Sequence, residues 1–187
     1  NMGYLSVYNF IQSMAWLCIF SRAAIICLSQ PSVFLSDTMQ ISKSTFALLG
    51  AFQSLAVLEA LHAQFGFTRS KILPVLLQNG GRLLQIYLLL LRHHSLRRDC
   101  ITAPLFLFWS AVEIIRYPFY LCETLSAFSA SFSPPSWLVW LRYSAFYVLY
   151  PLGFSSELHL MYHGLDEASA DVLHIPFPGT GQAFPLP

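Results

Sequence analysis

WLVWLRYSAFYVLYPLGFSSELHLMY, from Trp137 to Tyr162, is the stretch that decides the fold. It is apolar and long enough to cross a bilayer, since about 20 helical residues rising about 1.5 Å each span the hydrocarbon. Yet Arg142 stands near its start, and Glu157 and His159 stand near its end. Tyr143, Tyr150 and Glu157 recur at steps of seven. At about 100° per residue that is nearly two whole turns, so the three share one helical stripe. Pro151 and Gly153 lie between Tyr150 and Glu157 and predict a kink there. Charged groups in lipid are costly and face a cavity or a partner. A polar stripe with a phenol and a carboxylate, folded at a proline, is where chemistry is expected.

Composition points the same way. Of 187 residues, 56% are hydrophobic, 16% aromatic and only 10% charged, against about 25% charged in soluble domains. That deficit marks a one-domain membrane protein. A net charge of +1 with no basic run gives nucleic acid nothing to bind. Cys18, Cys27, Cys100 and Cys122 lack the paired C-x-x-C spacing of a zinc site and are expected to be reduced, buried and structural.

Working outward, five apolar segments emerge, which predicts an all-α, multi-pass transmembrane helix bundle of about five spans. The first runs from about Tyr4 to Leu28, too long for the h-region of a cleavable signal and without a basic n-region. Asn1 before Met2 points to a fragment, or to a chain that begins upstream. Arg22 can snorkel to the interface. The second span, about Ser44 to Phe67, carries Glu59 and His62 three apart. They either pack as a pair that orients the helix or line a substrate cavity. In the third, Ile72 to Leu91, Gln78 and Arg82 flank Gly80 and Gly81, small residues that predict a tight helix crossing. Arg82 needs a carboxylate, with Glu59, Glu113 and Glu157 as candidates.

The loop RHHSLRRD, Arg92 to Asp99, is the most polar stretch. Its adjacent histidines point apart on a helix and lack a third ligand nearby, so a solvated loop is expected and no metal site. The fourth span, about Cys100 to Cys122, places Glu113 and Arg116 three apart, followed by Tyr117 and Pro118. That pair is either an inert internal ion pair or part of a site. The Ser/Pro-rich turn Ser126 to Ser136 leads back to the opening stretch. We therefore expect a helical domain over 1–163 with Glu59, Arg82, Glu113, Arg116, Tyr150 and Glu157 facing inward. Beyond it, 164–187 holds four prolines and three glycines and is expected to be a disordered tail.

LRYSAFYVLYPLGFSSEL resembles the signature of the membrane-bound very-long-chain 3-hydroxyacyl-CoA dehydratases, also called protein tyrosine phosphatase-like. LEALHAQFGFTRS from Leu58, LLQNGGR from Leu76 and WSAVEIIRYPFY from Trp109 are similar to the family too, in the same order. The resemblance implies six spans, so a chain with five would be truncated, spliced or closed by something else. It implies catalysis by Tyr150 and Glu157, on either side of the Y-P-x-G turn. None of the four cysteines has an arginine six residues on, so the cysteine-phosphatase loop suggested by the family's older name is absent.

The reaction implied is dehydration of a 3-hydroxyacyl thioester to the 2-enoyl thioester. It needs a base for the proton beside the carbonyl, an acid for the departing hydroxide and polarisation of the carbonyl, but no metal or redox cofactor. Which of Tyr150 and Glu157 is base stays open. Arg116 and Arg142 suit either Glu157 or the phosphates of coenzyme A, and Tyr117, Gln78, Arg82 and Glu59 are supporting candidates. An acyl tail suits a groove between apolar helices. The resemblance further implies the endoplasmic reticulum membrane, neighbouring fatty-acid elongation enzymes as partners, and a cytosolic N-terminus, although the sparse Lys/Arg distribution leans the other way. The rival expectation is an inactive member serving as a membrane scaffold for active elongation enzymes. A small transporter would also explain polar groups in spans, but matched broken helices are missing.

Overall fold

A computed structural model describes residues 2–29, 41–68, 72–91, 93 and 95–173. Among these, every regular element is helical. Helix α1 (Met2–Ser29) and helix α5 (Thr102–Ser126) form the central pair. On α1, Leu5, Asn9, Gln12, Trp16, Ile19 and Ala23 are buried at alternating steps of four and three, the spacing of a single packed stripe. The pair is antiparallel. Ser6 donates to Thr124 Oγ1 at 3.2 Å at one end, while Ala103 packs against Ile26 and Cys27 at the other.

Helices α2 (Lys43–Leu55) and α3 (Leu58–Gln64) form one span broken at Ala56–Val57. Ser42 caps α2, its hydroxyl accepting from the Thr45 N–H at 3.2 Å. At the break the backbone tightens to three-residue turns, and Asn79 donates to the Ala56 carbonyl at 2.9 Å. A side chain inserted into the helical ladder is a sufficient cause for a bend. Gly66, with φ 71°, ends α3. The Phe67 N–H returns to His62 O at 2.8 Å and the Gly66 N–H to Ala63 O at 3.2 Å, a pairing that needs the left-handed conformation glycine tolerates.

Helix α4 (Ile72–Leu84) passes into a π-helical segment, Gln85–Leu90, whose wide turn buries Ile86 and Leu90. The expected tight crossing at Gly80 and Gly81 is absent: a methyl group added at either would meet open space. The close approach falls at Gly164 instead, where an added carbon would sit 2.7 Å from Leu89 Cδ2.

Helix α6 (Ser136–Ser144) ends at Ala145, and helix α7 (Phe146–Leu173) then runs unbroken through Pro151 and Gly153. The kink predicted between Tyr150 and Glu157 therefore lies upstream of both. The helix also continues to Leu173, past the domain end expected near residue 163. The remainder of the expected tail, 174–187, lies outside the described residues.

Helices Met2–Ser29, Lys43–Gln64 and Thr102–Ser126 are long and apolar enough to cross a membrane. The other two expected spans are helical but interrupted, one by the π segment and one at Ala145. The core gathers on α5: Leu105, Phe106, Trp109 and Tyr117 pack with Trp16, Ile19, Leu49, Ile86, Leu90 and Leu160. Outward faces stay apolar, as with Val7, Phe10, Met14 and Leu17 on α1, which suits lipid rather than water. Arg22 donates to Ser44 Oγ at 3.2 Å and so ties α1 to α2. Against the expected burial, Cys18 is exposed and Cys27, Cys100 and Cys122 are half-buried.

Candidate active site

A chain of paired charges crosses the centre of the bundle. Arg116, 7% exposed, donates to Glu59 at 2.9 Å, and its Nε lies 2.8 Å from Glu113 Oε2. The Arg116–Glu113 contact is an ion pair without hydrogen-bond alignment, since neither atom has a bonded partner. Glu113 is fully buried and also holds Arg82 from α4. Two arginines and two carboxylates thus cancel in charge, the condition under which a buried network persists. Tyr117 donates to Glu59 and accepts from Arg116 at 3.1 Å.

The chain of contacts reaches α7 through one aromatic residue. The Arg82 guanidinium lies 5.3 Å from the Trp109 ring centre, within cation–π range. The Trp109 indole N–H donates to Glu157 Oε1 at 2.7 Å. Among the described residues no cation pairs with Glu157.

Of the six side chains expected to face inward, Glu59, Arg82, Glu113 and Arg116 do so. Glu157 is half-buried and Tyr150 is 51% exposed. The buried stripe of α7 is Gly153, Ser156, Leu160 and Gly164. Tyr150 and Glu157 keep their shared stripe but ride on its flank, about 10 Å apart along one continuous helix. Tyr150 borders a shallow groove with Val112, Ile115, Leu141, Arg142, Ala145, Phe146 and Leu149.

A larger cavity, about 480 Å³, opens toward the C-terminal end of α5, where Phe119, Tyr120, Glu123 and Thr124 line it. Tyr8, Asn9, Glu59, His62, Glu123, Arg142 and Tyr143 are among its walls; Tyr150 and Glu157 are not. Glu59 and His62 both line it without pairing together. His62 Nε2 lies 3.1 Å from the Tyr4 hydroxyl, and its ring meets Tyr8 edge-on at 5.1 Å. Arg142 borders both the cavity and the Tyr150 groove and donates to the Tyr120 hydroxyl at 3.2 Å.

Several expectations resolve. Arg82 takes Glu113 from its three candidate carboxylates. Arg116 binds Glu59 and Glu113 rather than Glu157. Gln78 is only half-buried; its neighbour Asn79 is the residue tied in, accepting from Gln53 at 3.1 Å and donating to Ala56 O. Sequence reasoning missed Asn79 and Trp109. Trp109 opens the WSAVEIIRY motif, four residues before Glu113 on the same helical face, and that spacing was the available signal.

Apolar helices closed over a charge-balanced core define a helical protein of membrane type. Residues 53–184 match the family model for protein tyrosine phosphatase-like protein, PTPLA, and the chain belongs to that family. It is 35% identical over 162 residues to the very-long-chain (3R)-3-hydroxyacyl-CoA dehydratase PASTICCINO 2B of Oryza sativa subsp. japonica, covering 87% of this chain and 68% of the relative. It is 33% identical over the same shares to PASTICCINO 2 of Arabidopsis thaliana. To the dehydratase hpo-8 of Caenorhabditis elegans it is 34% identical, over 88% of this chain and 71% of the relative. No solved structure matches.

Proposed function

We propose that the chain is a membrane-embedded lyase that dehydrates (3R)-3-hydroxyacyl-CoA to trans-2-enoyl-CoA. The reading rests on the family, on relatives named for this reaction, and on the state of Glu157. Glu59 and Glu113 are each engaged by arginine, whereas Glu157 meets only a neutral indole donor. Of these three carboxylates it is the one that no arginine engages among the described residues. Tyr150 stands two turns earlier on the same side of α7. In this proposal one of the pair takes the proton from carbon two. The C–H electrons form the new double bond, hydroxide leaves carbon three, and the other group protonates it to water.

The acyl tail would lie along the apolar outer face of α7, and Arg142, bordering Tyr150, would meet a coenzyme A phosphate. Site, lipid setting and neighbours then agree with fatty-acid elongation in the endoplasmic reticulum membrane, beside the other elongation enzymes. One observation favours the second reading, an inactive membrane scaffold for those enzymes: Tyr150 and Glu157 lie outside the 480 Å³ cavity.

Turnover of a very-long-chain 3-hydroxyacyl-CoA by the purified protein in liposomes separates the two. Expected is 2-enoyl product from the parent chain, with Tyr150→Phe and Glu157→Gln each losing about 10²- to 10⁴-fold at unchanged folding. Tyr143→Phe, on the same stripe outside the pair, should change little. Near-normal turnover in either pair variant would sink the assignment, and a parent chain with none would leave the scaffold.

A further inference from the structure

His159 and His163 are four residues apart on α7 and so stack on one helical face, their ring centres 4.5 Å apart. Asp99, from the turn ahead of α5, reaches the same point: its Oδ2 lies 3.4 Å from His159 Nε2. One ligand atom from each of the three lies within 4.8 Å of the other two. We infer that Asp99, His159 and His163 form a binding site for a divalent transition-metal ion of the zinc class.

Three features carry this. The donor set is two imidazoles and one carboxylate, which selects zinc and its neighbours over magnesium or calcium, and H-x₃-H is a familiar zinc-ligand spacing. Geometry agrees: bonds of about 2.0–2.2 Å put two corners of a tetrahedron about 3.4 Å apart, which is the separation already present between Asp99 and His159. Drawing in the widest pair takes a shift of at most about 1.4 Å toward that corner spacing, within reach of a histidine side-chain rotation. Asp99 is also pre-oriented. Its Oδ1 accepts from the Ile101 N–H at 2.9 Å, which leaves Oδ2 aimed at the histidines, as an outer hydrogen bond commonly fixes a ligating carboxylate.

A simple Asp99–His159 ion pair would engage two of these groups and give the third no role. With both histidines exposed, an ion can enter, and a fourth position is open to water. The bound ion would fasten α7 to the turn ahead of α5, beside the Gly164 crossing, and hold in register the helix that carries Tyr150 and Glu157. The site is independent of the proposed dehydratase activity.

The test uses the full chain in detergent, without a polyhistidine tag and stripped by chelator. Zn²⁺ is titrated by calorimetry, Co²⁺ by visible absorption, and folding is followed by thermal unfolding. Expected is one ion per chain, the intense d–d bands of tetrahedral nitrogen/oxygen-ligated Co²⁺, and a raised unfolding midpoint with Zn²⁺. His159→Ala/His163→Ala should weaken binding by at least about 100-fold, and Asp99→Asn by about 10-fold or more, each with an unchanged metal-free midpoint. His93→Ala/His94→Ala should bind as the parent does. No saturable binding by the parent overturns the site. So does equal affinity in the His159/His163 variant, or loss of binding in the His93/His94 variant.

Discussion

Glu113 and Glu157 lie in the same bundle, yet they are opposites. Glu113 is on α5, fully buried, between two arginines. Glu157 is on α7, half-buried, with one indole N–H. A carboxylate in lipid-like surroundings needs a partner: Glu113 has two arginines, and Glu157 has the Trp109 indole N–H. Carboxylates in apolar helices therefore divide by partner. Those facing guanidinium tie helices together, and in the proposed reaction the one facing a neutral donor serves the substrate.

The sharpest way to break this contrast is Glu113→Leu. It leaves Arg82 and Arg116 buried with only Glu59 between them, and removing one member of a buried pair typically costs about 3–5 kcal/mol. The thermal unfolding midpoint in detergent should drop steeply. Arg82→Leu/Glu113→Leu restores charge balance, with Arg116 and Glu59 still paired, and should recover much of the loss. A single variant as stable as the parent would show that the network does not hold the bundle.

How much of this was legible beforehand follows from where the information sits. Helical class is a property of local composition and came through, as did three of the apolar spans. The Glu113–Arg116 pairing is a short-range periodicity, also visible, and Arg82's need for a carboxylate follows from the cost of burying charge. The break at Ala145 was hidden because nothing in its local sequence marks it, whereas Pro151 and Gly153, the visible breakers, lie inside a continuous helix. The length of α7 was hidden by averaging: Pro176, Pro178, Pro185 and Pro187 all lie beyond Leu173. Gly164, counted as a breaker, belongs to the buried stripe. Gly80–Gly81 shows the reverse error, since small residues permit a crossing without requiring one. The Asp99–His159–His163 juxtaposition spans some sixty residues and depends on how α7 lies against α5, so no window could show it.

On the Glu157 side, Trp109→Phe is the matching probe. Phenylalanine keeps a ring beneath Arg82 but removes the N–H that Glu157 accepts. Hydrogen bonds to charged groups are worth about 1.5–3 kcal/mol, so if Trp109 orients Glu157 for turnover, kcat should fall by about 10- to 100-fold. Because the residue acts through Glu157, KM should stay near the parent value, and Trp109→Phe in a Glu157→Gln background should add little further loss. A fall in KM and kcat alike, or full additivity with Glu157→Gln, would mean that Trp109 only packs.

The smallest expected effect tests the quiet region between these two. Gly80 and Gly81 sit inside α4 with open space where a methyl group would go, on the exposed side of the turn that carries buried Asn79 and Arg82. Glycine in a helix interior costs about 0.8–1.0 kcal/mol relative to alanine, since the unfolded chain has more freedom to lose. Where no neighbour opposes the added carbon, Gly80→Ala and Gly81→Ala should each stabilise by roughly that amount, with turnover unchanged. The rise in unfolding midpoint should be small and additive, because neither methyl group touches the Arg82–Glu113 pair. Destabilisation by either change would show that another helix packs on this face in the membrane, as the sequence had suggested. It would also shift the tight crossing from Gly164 back to α4.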